Sequence, residues 1–206
     1  MKCLPFILFI FFCITLSAQK RIDKIIDAQN ITTLQINGNN CFKIHVTASK
    51  TNRITIQTKI AGEHNEEMLV IAKTRNDSLY VSTGFHPLFQ ADNDKLSAHK
   101  VMSIELNIQV PEHVTLNIKS DIAYVYIEGV FNSTFIELNQ GQCKLDGFVG
   151  SAKINTIEGA ISVETNFAKV DAISKHGAVN LQPLISGKNQ IDLKSIRGDI
   201  SVFKTE

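Results

Sequence analysis

No motif of a common enzyme class is present in this sequence. It has no Gly-x-Ser-x-Gly nucleophile elbow, no Gly-x-x-x-x-Gly-Lys-[Ser/Thr] phosphate loop, no Gly-x-Gly-x-x-Gly dinucleotide fingerprint and no His-Glu-x-x-His zinc motif. The six histidines do not fall at the spacing of metal ligands. We therefore expect a protein that is not an enzyme and that holds no cofactor. A composite catalytic site built from residues distant in sequence stays open.

An excess of charge of either sign is also missing. The chain has 21 basic and 20 acidic residues among 206, so its net charge is +1. A chain without a basic block has no electrostatic footprint for nucleic acid or for an anionic membrane surface, and neither partner is expected. No Pro-, Ser- or Gly-rich linker divides the chain, so we expect one domain.

The sequence has no apolar run long enough to span a membrane. Lys2 precedes an apolar run over Leu4–Leu16 that holds 13 residues, whereas a spanning helix needs about 20. Ser17 and Ala18 follow, which predicts a signal peptide over residues 1–18, cleaved after Ala18. We expect an exported protein, located in the periplasm, on the outer surface or in the medium, with no integral membrane span after cleavage. Cleavage removes Lys2 and leaves the mature chain neutral.

Cysteine is scarce in the predicted mature chain. Cys3 and Cys13 leave with the signal peptide, so only Cys41 and Cys143 remain. An oxidising compartment would allow these two to form a disulfide. The alternative is that Cys143 is a small buried hydrophobic residue, because it falls in an apolar column of the repeat described below.

Alternating apolar and polar residues dominate the N-terminal half, as in strands with one buried face. A polar lead at 19–29 comes first, and a β-rich part over 30–112 follows. Residues 85–100 do not alternate and contain Pro87, so they are predicted to form a long surface excursion.

Two hairpins are predicted within this β-rich part. A first strand contains Leu34 and Ile36, and the first hairpin covers 42–60. The second hairpin covers 68–81 and turns at Asn76–Asp77, a pair of residue types that favours turns.

From residue 113 onward the chain repeats with a period near eighteen residues. The marker position of each repeat is a glycine, except in the first repeat. Apolar residues stand two and four positions after each marker and five positions before it, with polar residues between them. The markers are Ala123, Gly141, Gly159, Gly177 and Gly198.

Such a fixed period is typical of a solenoid, in which each coil buries its apolar face only by stacking on its neighbours. A coil of this length is too long for one strand at about 3.3 Å per residue, so it must bend at the markers. The predicted fold class is all-β: a right-handed parallel β-helix or solenoid of about 18 residues per coil over 113–206, with an irregular β-rich N-terminal half. A β-sandwich of hairpins is the alternative, but it gives no reason for columns that keep register.

These repeats resemble a known family. Gly159–Val163 and Gly198–Val202 look like the repeats of the auto-transporter adhesin head domain of the GIN type, found in Bacteroidota. Asn93–Val101 and Val110–Glu112 are similar to stretches in exported relatives, and the likeness covers roughly residues 30–206. The resemblance implies a β-helix in the cell envelope, whereas the function of the family is largely unassigned. The alanine at the first marker and the longer last interval depart from the pattern.

An acidic ladder is the best candidate for a metal site. Glu128, Asp146 and Glu164 are eighteen residues apart, directly after an inward column, so stacked coils would place them on one outer edge. Three carboxylates about 5 Å apart repel one another unless water or a cation separates them, which makes calcium a hypothesis. The alternative is a solvated edge on which Lys144 and Lys153 soften the repulsion.

Two places are candidate binding surfaces. Tyr124 and Tyr126 in the first coil could form an exposed stacking platform for sugar rings, or they could pack against the excursion over 85–100. The lengthened last coil carries the second candidate surface, formed by Ser186, Lys188 and Asn189, since insertions in repeat proteins often carry contacts.

The last predicted strand ends close to Glu206, without a capping helix. An open solenoid edge invites strand addition, so Lys204 and Glu206 either blunt it or border a partner surface.

The leading functional hypothesis is a non-catalytic cell-envelope protein, adhesin-like or a binding or structural module, whose partner is a protein or a glycan at the cell surface. One alternative is a carbohydrate-active β-helix enzyme, a polysaccharide lyase or hydrolase. Another is a structural component associated with envelope stress.

Overall fold

A computed structural model of the protein describes residues 19–89 and 102–205. The predicted signal peptide, most of the predicted excursion and Glu206 lie outside these residues. The described chain is built from β-strands with a short 3₁₀ turn at Asn65–Glu67, and its fifteen strands belong to one mixed sheet. The predicted all-β class is confirmed.

The strands follow one another closely along the chain. They are β1 (Lys20–Asp27), β2 (Thr33–Asn37), β3 (Lys43–Ser49), β4 (Arg53–Gly62), β5 (Met68–Arg75), β6 (Ser78–Phe85), β7 (Met102–Pro111), β8 (Thr115–Ile122), β9 (Tyr124–Gln140), β10 (Cys143–Glu158), β11 (Ile161–Thr165), β12 (Ala168–Ser174), β13 (Val179–Leu181), β14 (Asn189–Arg197) and β15 (Ile200–Lys204).

The apolar columns seen in the sequence are the core of the C-terminal half. In parallel register, Cys143 of β10 lies between Val125 of β9 and Ile161 of β11, eighteen residues away on each side. Ile200 of β15 continues this column, and all four side chains are buried. Burial of a side chain of this size contributes about 1.5–3 kcal/mol, so the column is a main source of stability.

A second column runs through the other side of the stack. Ile118 of β8, Ile136 of β9, Ile154 of β10 and Leu193 of β14 lie side by side in parallel strands and are buried. Ala172 of β12 follows at the end of the row and is only partly buried. The two columns therefore face each other across one core.

The marker glycines stack closely on one another. A Cβ atom on Gly159 would collide with the carbonyl oxygen of Gly141, and one on Gly141 would collide with that of Ala123. Beside this stack, buried hydroxyl groups donate hydrogen bonds to backbone carbonyls. Ser120 donates to the Gly38 carbonyl at 2.9 Å and Thr156 to the Gly159 carbonyl at 3.1 Å. Glycine is thus required by the spacing between adjacent layers.

The order of the last strands differs from the expected one. Ile161 of β11 pairs with Ile200 of β15, and Val179 of β13 then pairs with the far side of β15. In the same way β14 pairs with β10, and β12 lies beyond it. The prediction of five coils stacked in chain order is therefore wrong. Equivalent apolar columns fit either neighbour, so their spacing does not encode which layer comes last.

This order also corrects the expectation for the end of the chain. Lys204 belongs to β15, which is an interior strand paired on both sides. The open edges of the stack are β12 and β13, so neither blunting nor a partner surface at β15 applies. Glu206 lies outside the described residues.

The N-terminal half contains one predicted hairpin and lacks the other. The β5–β6 hairpin is confirmed, since Arg75 pairs with Ser78 around the Asn76–Asp77 turn. The hairpin over 42–60 is wrong because β3 pairs in parallel with β7 and β9, whereas β4 pairs antiparallel with β1 and β7. Alternation fixes the buried face of a strand but does not choose its neighbour.

Strands β2 and β3 extend the stack on its N-terminal side. Ile36 of β2 pairs with Ile118 of β8, and Ile44 of β3 pairs with Val125 of β9. Beyond them the antiparallel strands β4 and β1 close one side and the β5–β6 hairpin closes the other. The sheet is therefore mixed and is not a uniform parallel winding. Among the described residues there is no helix long and apolar enough to cross a membrane.

Candidate functional site

The outer surface of β4, β7, β3, β9 and β10 is polar throughout its central part. Because adjacent strands align their outward side chains, two rows cross it at about 4.8 Å per strand. We call these rows the polar face. The first row consists of Gln57, Asn107, His45, Tyr126 and Lys144, and the second of Thr55, Gln109, Thr47, Glu128 and Asp146.

Tyr126 is held at the centre of the polar face from three sides. Its ring meets the His45 ring edge-on, with centroids 4.7 Å apart, and the Lys144 ammonium lies 5.5 Å from its centroid. Its hydroxyl donates to Oδ2 of Asp146 on the next strand. The ring is half-buried, so one part stays accessible to a ligand.

The carboxylate of Asp146 contacts both the hydroxyl of Tyr126 and the ammonium of Lys144. The hydrogen bond from Tyr126 lowers the pKa of Asp146, and the Lys144 ammonium, 3.3 Å away, acts in the same direction. The same bond, together with burial, raises the pKa of Tyr126. At neutral pH the pair is therefore a neutral phenol and a carboxylate, which leaves Asp146 as an acceptor for further donors.

His45 links Tyr126 to the neighbouring amides. Burial lowers its pKa, and its Nε2 lies 3.2 Å from the Thr47 hydroxyl. Asn107 on the adjacent strand is a second hydrogen-bond partner. A neutral imidazole, an amide and a hydroxyl side by side offer both donors and acceptors without net charge.

A shallow depression of about 270 Å³ lies beside this cluster on the same face. Its lining includes His45, Thr47, Gln57, Asn107 and Gln109, all of which can donate or accept a hydrogen bond. The opening is therefore suited to a hydroxylated ligand more than to an apolar one.

The acidic ladder is partly realised in the structure. Asp146 pairs with Glu128 across β9 and β10, and Glu164 lies on β11, the strand on the other side of β10. Within the part of the chain that the structure describes, no group of three His, Cys, Asp or Glu side chains could hold a metal ion. Calcium binding by these carboxylates stays a hypothesis, with a solvated edge as its alternative.

The environment of the predicted tyrosine platform is now defined in part. Tyr124 lies two residues before Tyr126 on the same outward side of β9, next to Lys43. The ring contact of Tyr126 is made with β3. Of the predicted excursion, Phe89 stacks on Phe85 instead. Residues 90–100 of the predicted excursion lie outside the described range.

Cys41 and Cys143 are both free. Cys143 occupies the buried column, and burial raises its pKa. Cys41 is buried as well, with its pKa raised to about 11, and its sulfur lies 3.9 Å from the Thr83 hydroxyl. The disulfide alternative is therefore not realised in this structure, and neither thiol is poised as a nucleophile.

The lengthened last coil does not join the polar face. Ser186 and Lys188 are exposed in the connection from β13 back to β14, and Asn189 begins β14 opposite Ala168. Leu184 of this connection packs against the core. The segment therefore lies at the far end of the stack, with β10, β11 and β15 between it and Tyr126.

The opposite outer surface carries a groove that the sequence did not indicate. A cavity of about 530 Å³ is lined by Ile157, Ile173 and Ile196 together with Lys119 and Lys194. The three isoleucines are exposed by 44–64%. They come from β10, β14 and β12, which are neighbours in the sheet in that order.

Half of the polar face was also missed by sequence reasoning. Gln57, Asn107 and His45 belong to β4, β7 and β3, and β7 separates the other two in the sheet although it comes later in the chain. No repeat connects the three residues. Their only signal is that each is a polar residue at an outward position of an alternating strand.

Comparison with known proteins shows the fold. No protein-family model matches the chain, and no curated protein matches it. The structure is similar to that of a candidate cell adhesion protein from Clostridium sporogenes, with a TM-score of 0.63 at 15% identity over 91% of this chain and 100% of that chain. A candidate adhesin from Bacteroides fragilis matches with a TM-score of 0.43 at 9% identity, over 90% of this chain and 98% of that one. The Clostridium protein and this chain share a fold.

Proposed function

We propose that this protein is a non-catalytic binding module of the cell envelope, adhesin-like in its role, and that its polar face binds a glycan. The observation that carries the proposal is Tyr126, an aromatic ring fixed among His45, Lys144 and Asp146 beside a depression lined by neutral polar groups. Sugar rings are recognised by an aromatic surface together with planar hydrogen-bonding side chains, and both are present here.

The flatness of the site supports a polymer more than a small free sugar. The two rows of the polar face span five strands, or about 20 Å at the usual strand spacing. A row of evenly spaced donors and acceptors fits a ligand that repeats along its length. The likeness to a candidate cell adhesion protein supports a role at the cell surface, and the auto-transporter adhesin head family of the GIN type remains the proposed relationship.

The finer description of the fold belongs to the same proposal. Strands β8 to β11 with β14 and β15 stack in parallel, and the registers between β9, β10 and β11 are eighteen residues. We describe this part as a short right-handed β-solenoid that presents the polar face on a rigid support. Its export through a signal peptide, and a location in the periplasm or on the outer surface, complete the proposal.

A binding experiment tests this function. The chain from residue 19 onward is applied to an array of neutral and acidic polysaccharides, and bound ligands are measured by affinity electrophoresis. Tyr126→Ala and Asn107→Ala are each expected to weaken binding about tenfold or more, as loss of an aromatic or buried polar contact does. Tyr80→Ala, which removes an exposed tyrosine from the opposite surface, is the control and is expected to bind normally.

Two results would count against the proposal. If no polysaccharide binds, or if Tyr80→Ala weakens binding as much as Tyr126→Ala, the polar face is not the site. If the bound polysaccharide is shortened during incubation, the carbohydrate-active enzyme replaces the non-catalytic module.

A further inference from the structure

Strand β12 is an edge strand with an open side. Within the described chain it pairs only with β14. It runs over seven residues, Ala168–Ser174, without a proline. Natural proteins usually protect such an edge with prolines, bulges, very short strands or charged side chains, because its free amide and carbonyl groups can pair with another strand. Of these devices β12 has only charged side chains, Lys169 and Asp171.

The side chains of β12 are less buried than those of the interior strands. Val170 and Ala172 point to the core but are only partly buried. On the outward side Lys169 and Asp171 are exposed, and Ile173 is exposed by 64%. A further strand added at this edge would cover Val170 and Ala172 as an interior layer is covered elsewhere in the stack.

The sequence of β12 is complementary to itself in one arrangement. When two copies pair antiparallel about Val170, Lys169 of each copy lies opposite Asp171 of the other, and Ala168 lies opposite Ala172. Opposite charges directly across an antiparallel pair are favourable, whereas parallel pairing in register would place like charges side by side. The Asp171 carboxylate accepts a hydrogen bond from Gln190 at 2.8 Å. A carboxylate has two oxygens, so it can also accept a bond from the lysine of the second copy.

We propose that β12 is a homodimerisation edge, at which a second copy of this chain adds its own β12 antiparallel about a two-fold axis at Val170. Such an interface is closed, because each copy uses the same surface, and it does not extend into a fibre. A dimer would also carry two polar faces on one rigid body.

Charge reversal and its rescue test this arrangement. The chain from residue 19 onward is measured by sedimentation velocity over a range of concentrations. Lys169→Asp and Asp171→Lys each turn two symmetry-related attractive pairs into repulsive ones, so each is expected to raise the dimer Kd about tenfold. The double variant K169D/D171K restores both pairs and is expected to restore the Kd. Lys50→Asp, in an exposed turn, carries the same charge change and is the control.

A cross-link gives a second measurement that does not depend on charge. Val170→Cys is expected to form a disulfide-linked dimer under mild oxidation, because directly opposite residues of an antiparallel pair lie about 4.5–5.5 Å apart. Asp171→Cys is the matched control, since its two copies are diagonal to each other and about 8 Å apart.

Three outcomes overturn the proposal. The first is a chain that stays monomeric at all concentrations. The second is a dimer whose Kd ignores the charge reversals or is not rescued by the double variant. The third is a monomer that captures a foreign extended peptide at β12 instead. A concentration-dependent dimer that follows the charge pattern and cross-links through position 170 supports it.

Discussion

The hydroxyl of Tyr126 donates a hydrogen bond to Asp146, a residue twenty positions later that lies beside it on the next strand. The bond crosses from β9 to β10, so it ties together two layers of the stack and orients the ring at the centre of the polar face. The effect of this bond on stability and its effect on the orientation of the ring can be measured separately.

Tyr126→Phe tests the bond because it removes the hydroxyl and keeps the ring. We expect a loss of about 1 kcal/mol in the free energy of unfolding at pH 7, as for a partly exposed hydrogen bond to a charged group. The bond lowers the pKa of Asp146 below its ordinary value of 3.8, so its contribution is present above that value and is lost as the pH falls through the lower pKa of the folded state. Urea unfolding of both proteins between pH 7 and pH 2.5 measures this. A difference that stays constant with pH would contradict the assignment.

Gly159→Ala tests the glycine stack. A Cβ atom at this position would meet the Gly141 carbonyl oxygen, and backbone cannot move aside as a flexible side chain can. We expect a loss of about 2–3 kcal/mol in the free energy of unfolding. Gly84→Ala is the matched control, since a Cβ there has nothing within 4 Å, and it should leave the free energy within about 0.5 kcal/mol of the original. Equal effects of the two substitutions would refute the steric explanation.

Thiol labelling tests the state of the cysteines. Burial raises the pKa of both thiols, so the native chain from residue 19 onward is expected to react very slowly with Ellman's reagent at pH 8. After unfolding in guanidinium without a reductant, Cys41 and Cys143 should both react. Unfolded protein that reacts only after reduction would instead reveal a disulfide.

The export hypothesis predicts one particular N-terminus. Expression of the whole chain in a bacterium with a periplasm should yield a mature protein that begins at Gln19, measured by the intact mass. Ile10→Arg in the middle of the apolar run should prevent export and leave the precursor in the cytoplasm, because the charge divides the run into two pieces that are each shorter than the run of about 7–15 residues that a signal peptide needs. Full-length precursor in the periplasmic fraction would contradict the predicted cleavage.

Calcium titration tests the acidic ladder. Because the Lys144 ammonium lies 3.3 Å from Asp146 and softens the repulsion between the carboxylates, we expect no upward shift of the Tm in millimolar calcium. The measurement is thermal unfolding with calcium and with a chelator. An increase in Tm that Glu128→Gln abolishes would show that the carboxylates hold the ion.

Residue spacing predicted the core of this protein well. The columns through Cys143 and Ile154 contain the residues expected from the repeat, and Cys143 is buried as its place in the column predicts. The same expectation is wrong for Val179 and Leu181, which are exposed because β13 is an outermost strand. A column of apolar residues at constant spacing constrains which side chains face inward, since every layer must bury the same face.

The same spacing could not predict which layers touch. Val179 and Ile200 are equally suitable neighbours for Ile161, and the choice of Ile200 depends on how the connection before β14 returns. The polar face was hidden for a related reason. His45 meets Tyr126 because β3 pairs with β9, and Asn107 lies beside His45 because β7 pairs with β3, so both contacts join residues more than sixty positions apart. Pairings of that kind leave no local pattern in one sequence.

The interior position of β15 has a consequence for how the chain is completed. Strands β12 and β13 precede β14 and β15 in the chain but lie outside them in the stack. The outer layer can therefore pair with the stack only when residues 189–204 are in place. Removing those residues would take away a middle layer and leave the outer one without support. The last described strand is therefore part of an interior layer of the stack, unlike a repeat protein in which each new unit stacks on the one before it.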